Sequence, residues 1–373
     1  MQNRSAMEPK KRMTQKFDAL QVLRALAAGL VVFDHAARTW GEKVGPAGAL
    51  PHVPNLGEFG VKLFFCISGF IIVYTASQLP QGAASVTAFW RRRAVRIIPL
   101  YWLMTSVYLL KNVFAGQPHS FAEIVKSYLF IPYADAQGFV RPVLGQGWSL
   151  DYEMFFYFVF GALLLVPRRL QAGALTLIMT ALAAARAFGW LGDPAAPNAL
   201  YLWADTVILY FVAGVLACVA ARHWREHRWP ALSQDAAALA ASVLVVAFAA
   251  YALPVHEALA EFWMPLPCIV ALMLCVTARP EPCSAVWRPL VLAGDASYST
   301  YLTHGFLMGT LARLAVGTGI PVGFQLFSWL SLVLCTIAGY YVFLWIERPL
   351  TRSKRYSIEY HRLRSVLVRP RLP

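Results

Sequence analysis

The sequence predicts an all-α protein: a polytopic integral membrane helix bundle of about ten transmembrane helices, with both termini cytoplasmic. Three observations predict it. Of 373 residues, 58% are hydrophobic and only 14% charged, whereas soluble domains carry about a quarter charged residues. The apolar residues come in long blocks rather than in alternation, and mean hydropathy is +0.53. The formal net charge of +14 is concentrated in short segments between the blocks. That placement suits the orientation of helices in a bilayer rather than a nucleic-acid surface.

A spanning helix needs about 20 mostly apolar residues. Ten segments qualify: 18–38, 57–77, 95–115, 146–166, 171–190, 203–221, 236–253, 260–277, 293–314 and 325–346. A shorter run at 121–131 suits an interfacial or re-entrant piece. With the N-terminus inside, the inward segments hold Lys10 to Lys16, Arg91 to Arg96, Arg168 and Arg169, Arg222 to Arg228, Arg279 and Arg288, and a tail from Arg348 to Arg371. Outward segments hold only Arg38, Lys43, Lys126 and Arg141. Such asymmetry is the positive-inside rule. The chain thus divides into a basic cytoplasmic tail at 1–17, a membrane domain at 18–346 and a second basic cytoplasmic tail at 347–373. The first apolar run serves as a retained signal anchor. The six cysteines form no CxxC pair and imply neither a disulfide framework nor a zinc site.

Polar groups inside spans are costly and by default mark functional positions facing the bundle interior. In the first segment, Arg24 and His35 are eleven residues apart, about three turns, so they share a face with about 16 Å between them. An imidazole takes a proton from a hydroxyl near neutral pH, and a guanidinium grips phosphate or carboxylate bidentately. The plainer alternative has Arg24 reaching to the inner interface and His35 capping a helix with Asp34. In the second segment Ser68-Gly69 permits close helix packing, and Lys62 sits four residues after Glu58 as a favourable helical pair. Arg91, Arg92, Arg93 and Arg96 cluster at a helix end. They act as an anchor or, for Arg93 and Arg96 at i, i+3, as a phosphate clamp.

The fourth segment carries Ser149, Glu153 and Tyr157 as a polar stripe beside Trp148, with His35 or an arginine as the expected partner of Glu153. In the ninth, Ser297, Tyr301 and His304 share a face, which suggests a lined cavity. Glu347-Arg348-Pro349 closes the last helix as a structural end, its proline ending the helix and Glu347 tied to a neighbouring basic loop.

These stretches, in this order and spacing, resemble the membrane acyltransferase-3 family, in the branch of exopolysaccharide O-acetyltransferases. The resemblance covers roughly 17–350. It rests on Leu20 through His35, Gly60 to Phe70, Phe89 to Trp102, Trp148-Ser149-Leu150 with Glu153, Ser297-Tyr298 through His304, and Glu347-Arg348-Pro349. The resemblance implies transfer of an acyl group, usually acetyl from acetyl-CoA, to a sugar hydroxyl on a polysaccharide or lipid-linked acceptor. Acetyl-CoA is then a donor substrate, and no cofactor or metal is bound permanently. The family's Arg-x10-His pair falls on Arg24 and His35, the histidine held essential, and its Arg-x-x-Arg motif on Arg93 and Arg96.

Two departures stand out. Lys62 occupies a position where relatives often carry an acidic residue, and no esterase-like domain is fused, so the expected unit acts alone or beside polysaccharide-assembly proteins.

The expected site has His35 and Glu153 as catalytic groups, His35 acting as general base on the sugar hydroxyl or carrying the acetyl group transiently, and the carboxylate orienting the imidazole. Arg24, Arg93 and Arg96 bind the donor, while Ser68, Trp148, Ser149, Tyr298 and His304 line the substrate pocket. The expected location is the bacterial inner (plasma) membrane, multi-pass. The rival reading is a transporter or flippase of lipid-linked sugars, with the same spans but no acyl donor.

Overall fold

The structure is a computed structural model that describes residues 17–46, 55–77, 82–135, 138–194, 196–252, 263–319 and 321–351. The tails at 1–17 and 347–373 therefore lie almost wholly outside the described residues. The regular secondary structure of the described residues is all helical apart from a single isolated bridge between Ala134 and Val140. In chain order the helices are α1 (Asp18–Lys43), α2 (Leu56–Ala76), α3 (Ala83–Phe114), α4 (Phe121–Tyr128), α5 (Trp148–Leu163), α6 (Arg168–Ala187), α7 (Ala199–Trp203), α8 (Leu209–Glu226), α9 (Gln234–Ala247), α10 (Pro265–Thr277), α11 (Arg288–Asp295), α12 (Ser297–Thr318), α13 (Phe324–Val342) and α14 (Arg348–Thr351).

Among the described residues, six helical stretches are long and apolar enough to cross a membrane, where the sequence predicts about ten crossings. The six contain α1, α2, α3, α6, α8 and α13. The other predicted segments also fall on helices, each with a physical reason for standing apart. Helix α5 has 16 residues because Gly145–Gly147 before it form a tight turn, and α9 and α10 are short apolar helices. Helix α12 is 22 residues long but carries Ser297, Ser299, Thr300, Thr303 and His304 in its first turns. The predicted start of the third segment at 95 is corrected. Helix α3 begins at Ala83 and continues through Pro99, although proline removes one N–H from the hydrogen-bond ladder. Arg91 to Arg96 thus lie within its first half.

Helix α1 is the hub, packing against α2, α9, α10, α11, α12 and α13. It tolerates six neighbours because small residues lie on several sides of it: Ala19, Ala27, Ala28, Ala36 and Ala37 are all buried. Close approach of backbones is how helices associate where lipid competes equally for apolar side chains. The α2–α8 pair shows the same principle reciprocally. A Cβ on Gly69 would overlap the carbonyl of Phe211, and one on Gly214 would overlap the carbonyl of Cys66. Beside this crossing, Phe211 stacks between Phe65 and Phe156, with centroids 4.4 and 4.3 Å away, joining α5 to the pair.

The short run predicted at 121–131 is helix α4, opened by a full capping box in which Ser120 and Glu123 satisfy each other's backbone N–H groups. Tyr101 and Trp102 of α3 donate to the carbonyls of Ser127 and Tyr128 and pin this helix across the end of the bundle. All six cysteines are free, with Cys283 alone partly accessible.

The reciprocal crossing makes a testable demand. Gly214→Val forces two backbones apart, and overpacking of this kind costs about 1–3 kcal/mol or more. Gly173→Val adds its methyls where nothing lies within 4 Å of the new Cβ. In detergent, the thermal unfolding midpoint is expected to fall by several degrees for the first variant and to hold for the second. Equal midpoints would remove the crossing from the account.

Candidate functional site

Two cavities lie along the interior face of α1. The first is lined by side chains of α1, α2, α3, α5 and α12 alone. Its chemistry is set by Arg24, Arg93 and Arg96 around Glu153 and Tyr157. Arg24 is only 9% exposed, and its Nη2 and Nη1 donate to Ser297 Oγ at 2.9 Å and Gln21 Oε1 at 3.0 Å. Arg93 donates to Thr75 Oγ1 at 3.1 Å and stacks over the rings of Phe89 and Tyr157. Arg96 lines the cavity and makes no hydrogen bond to the described residues.

Glu153 Oε1 accepts from Ser68 Oγ at 2.8 Å and from the hydroxyl of Tyr157. Glu347, held in a one-turn π-helix at Phe343–Glu347, is buried and accepts from Ser299 Oγ at 2.6 Å. Single π turns inside α-helices are frequent at functional sites, and this one turns a carboxylate inward, within electrostatic reach of Arg24 and Arg96. Three cations thus surround one lining carboxylate. A guanidinium offers five N–H donors and no acceptor, so this cavity has donors to spare and is complementary to an anion.

The second cavity opens further along α1 and is lined by Asp34, His35, Arg38, Asn55, Glu58 and Trp148, among others. Here His35 Nδ1 lies 2.7 Å from His304 Nε2, with the rings stacked at 5.0 Å. His304 Nδ1 in turn lies 2.6 Å from the carbonyl of Tyr301 and 3.3 Å from that of Thr300. Carbonyls only accept, so the proton of neutral His304 sits on Nδ1 and its Nε2 is an acceptor. His35 must then donate from Nδ1, which leaves the lone pair of His35 Nε2 available at the cavity wall. An acceptor behind an imidazole fixes its tautomer and supports the cation formed when it takes a proton. His304 does this for His35 as a neutral group.

The sequence-predicted residues divide between these cavities. Arg24, Arg93, Arg96, Ser68, Ser149, Glu153 and Tyr298 line the first, His35 and Trp148 the second, and His304 stands buried behind His35. The shared face of Arg24 and His35 exists, since both reach α12, at Ser297 and His304. Neither plainer alternative for them survives. Arg24 is buried and bonded, and α1 runs on to Lys43 while Asp34 pairs with Arg38 at 2.9 Å, so His35 caps nothing.

The expected contact of Glu153 with His35 is corrected: Glu153 bonds Ser68 and Tyr157 in the other cavity. Glu347, expected to tie to a basic loop, bonds Ser299 instead. Lys62 does pair with Glu58, at 2.7 Å. Asp34, Arg38, Asn55 and Glu58 were not expected at a site. The signal for them was their position facing His35 at the ends of α1 and α2, which only the packing of those helices supplies.

This arrangement, an imidazole with a free lone pair beside an arginine-lined recess within a membrane bundle, suits group transfer to a hydroxyl. A family model described as an acyltransferase domain matches residues 17–348; the chain belongs to this family, acyltransferase-3. Among its relatives is the exopolysaccharide production protein ExoZ of Rhizobium meliloti (strain 1021), 32% identical over 315 residues, covering 82% of this chain and 92% of that protein. The acyltransferase MdmB of Streptomyces mycarofaciens is 32% identical over 160 residues, 39% of this chain and 38% of its own. The peptidoglycan O-acetyltransferase OatA of Listeria monocytogenes is 29% identical over 159 residues, 39% of this chain and 23% of its own. No solved structure matches.

The tautomer chain is directly measurable. In protein labelled with ¹⁵N-histidine, His35 should show a protonated Nδ1 and a bare Nε2, and His304 a protonated Nδ1. His304→Phe removes the acceptor and should abolish the His35 preference; a protonated His35 Nε2 in the unaltered protein would overturn the assignment.

Proposed function

We propose that this chain transfers an acetyl group from acetyl-CoA to a hydroxyl of a cell-surface or exported carbohydrate, in the bacterial inner membrane. The relatives support the chemistry: one bears a name from exopolysaccharide production and another from peptidoglycan O-acetylation. The observation that carries the reading is the juxtaposition of an anion-seeking recess with a base-bearing one along a single helix.

The charge pattern supports ten crossings with both termini cytoplasmic, the arginine cavity facing the cytosol and the His35 cavity the opposite side. Acetyl-CoA is too highly charged to cross lipid. Its phosphates bind Arg93 and Arg96, with Arg24 deeper along the cavity, and its thioester arm extends toward His35. The acceptor sugar enters the outer cavity. Paired carboxylates and Arg38 bond its hydroxyls there, and Trp148 offers a flat apolar wall. His35 Nε2 takes the proton of the attacking hydroxyl. The sugar oxygen bonds to the carbonyl carbon, the carbon–sulfur bond breaks, and the proton passes from His35 to the departing thiolate. Glu153 acts on the donor side, holding Ser68 and Tyr157 and balancing the arginines.

Membranes containing the protein should move radiolabelled acetyl from acetyl-CoA onto cell-surface polysaccharide, and His35→Ala at equal expression should abolish this. Absence of label with either protein would favour the transporter of lipid-linked sugars. Equal label with both would move the base elsewhere. A charge-assisted hydrogen bond contributes about 1.5–3 kcal/mol. Arg93→Ala or Arg96→Ala should accordingly raise the apparent KM for acetyl-CoA roughly 10- to 100-fold, while leaving acceptor KM unchanged. An unchanged donor KM in both variants would remove the clamp.

A further inference from the structure

Among the described residues, two line both cavities, Val61 of α2 and Tyr301 of α12. The geometry points to the gap between these side chains as the filter that sets the length of the acyl group, passing acetyl and rejecting longer chains. This rests on the proposed function. A thioester held from the arginine side and a hydroxyl activated by His35 must meet where the two recesses share a wall.

One side of the gap is held rigidly. The hydroxyl of Tyr301 lies 2.7 Å from the carbonyl of Gln146 and 2.8 Å from Ser149 Oγ. Its single proton goes to the carbonyl, which only accepts, so Ser149 donates to the phenol oxygen. The backbone of the same residue is fixed as well, because its carbonyl accepts from His304. The ring of Tyr301 therefore has no free rotation with which to widen the passage.

On the opposite side Val61 is buried, at 4% exposure. The residue before it, Gly60, brings α2 against α1 so closely that a Cβ there would overlap the carbonyl of Ala27. With both backbones pinned, the methyl groups of Val61 narrow the passage from a side that makes no hydrogen bond. A single methylene in an apolar pocket discriminates between substrates about 10- to 200-fold. Bond making and breaking are the same for every acyl chain, so discrimination here is steric.

The test uses the full-length protein in lipid nanodiscs with acetyl-, propionyl- and butyryl-CoA, measuring kcat/KM for coenzyme A release in the presence of acceptor. In the unaltered protein kcat/KM should fall at least about tenfold for each added methylene. Val61→Ala should raise the propionyl-to-acetyl ratio about tenfold. Val61→Leu should lower the propionyl-to-acetyl ratio further while leaving inhibition by free coenzyme A, which has no acyl group to pass the gap, unchanged. Each ratio is internal to one protein, so a smaller folded fraction cancels from it. Acetyl turnover with the same chain-length ratios in all three proteins overturns the filter but keeps the proposed function. No turnover of any acyl-CoA by the unaltered protein overturns both.

Discussion

In a hydrocarbon environment a buried polar side chain has no water to fall back on, and it persists only where a neighbouring helix supplies the partner. The contact between α1 and α12 meets that constraint twice. Arg24 finds Ser297 near one end, and His35 finds His304 further along. Ser297 and His304 are seven residues apart on α12, about two turns, so both project from one face. The longer interval between Arg24 and His35 is taken up by the reach of the arginine side chain. These two rungs fix the rotation of each helix about its own axis. The gap at Val61 and the positions of both recesses follow from that rotation.

Much of the fold was legible because lipid makes a coarse, strong demand on sequence: long apolar blocks, and basic residues between them. What resisted reading was the behaviour of segments whose polar residues face inward. Helix α12 is a good example, since Ser297, Ser299, Thr300 and His304 dilute its hydropathy while being buried within the protein. The site was legible in its residue types and in the shared faces of Arg24 with His35 and of Ser297, Tyr301 and His304. It was not legible in its pairings. Helical period says which residues lie on one face of one helix but is silent on which faces meet. Glu153 was therefore expected beside His35 or an arginine, and the packing of α5 against α3 and α2 puts it with the arginines, bonded to Ser68 and Tyr157, and away from His35. His304, in turn, is the direct partner of His35, although nothing in its local sequence distinguishes a partner from a lining residue.

The polar groups also show a division of labour between orienting and binding. Serines 68, 297 and 299 each donate to, or accept from, one charged residue. Such short hydroxyl contacts hold a charge in place without neutralising it. The guanidinium groups consequently keep spare donors toward the cavity, and Arg96 keeps all of its own. An arrangement of full ion pairs would be more stable when empty, but it would have to be broken before an anion could bind.

The two recesses also differ in what they are made of. The arginine-lined one is walled by helices of the bundle alone. The recess around His35 borrows Asn55, which precedes the first turn of α2, and Val140, from the bridged segment after α4. Loop residues tolerate replacement, insertion and deletion far better than packed helix faces. Drift across a lineage can therefore retailor one chamber while leaving the other untouched, so that a single inherited engine comes to serve many different recipients.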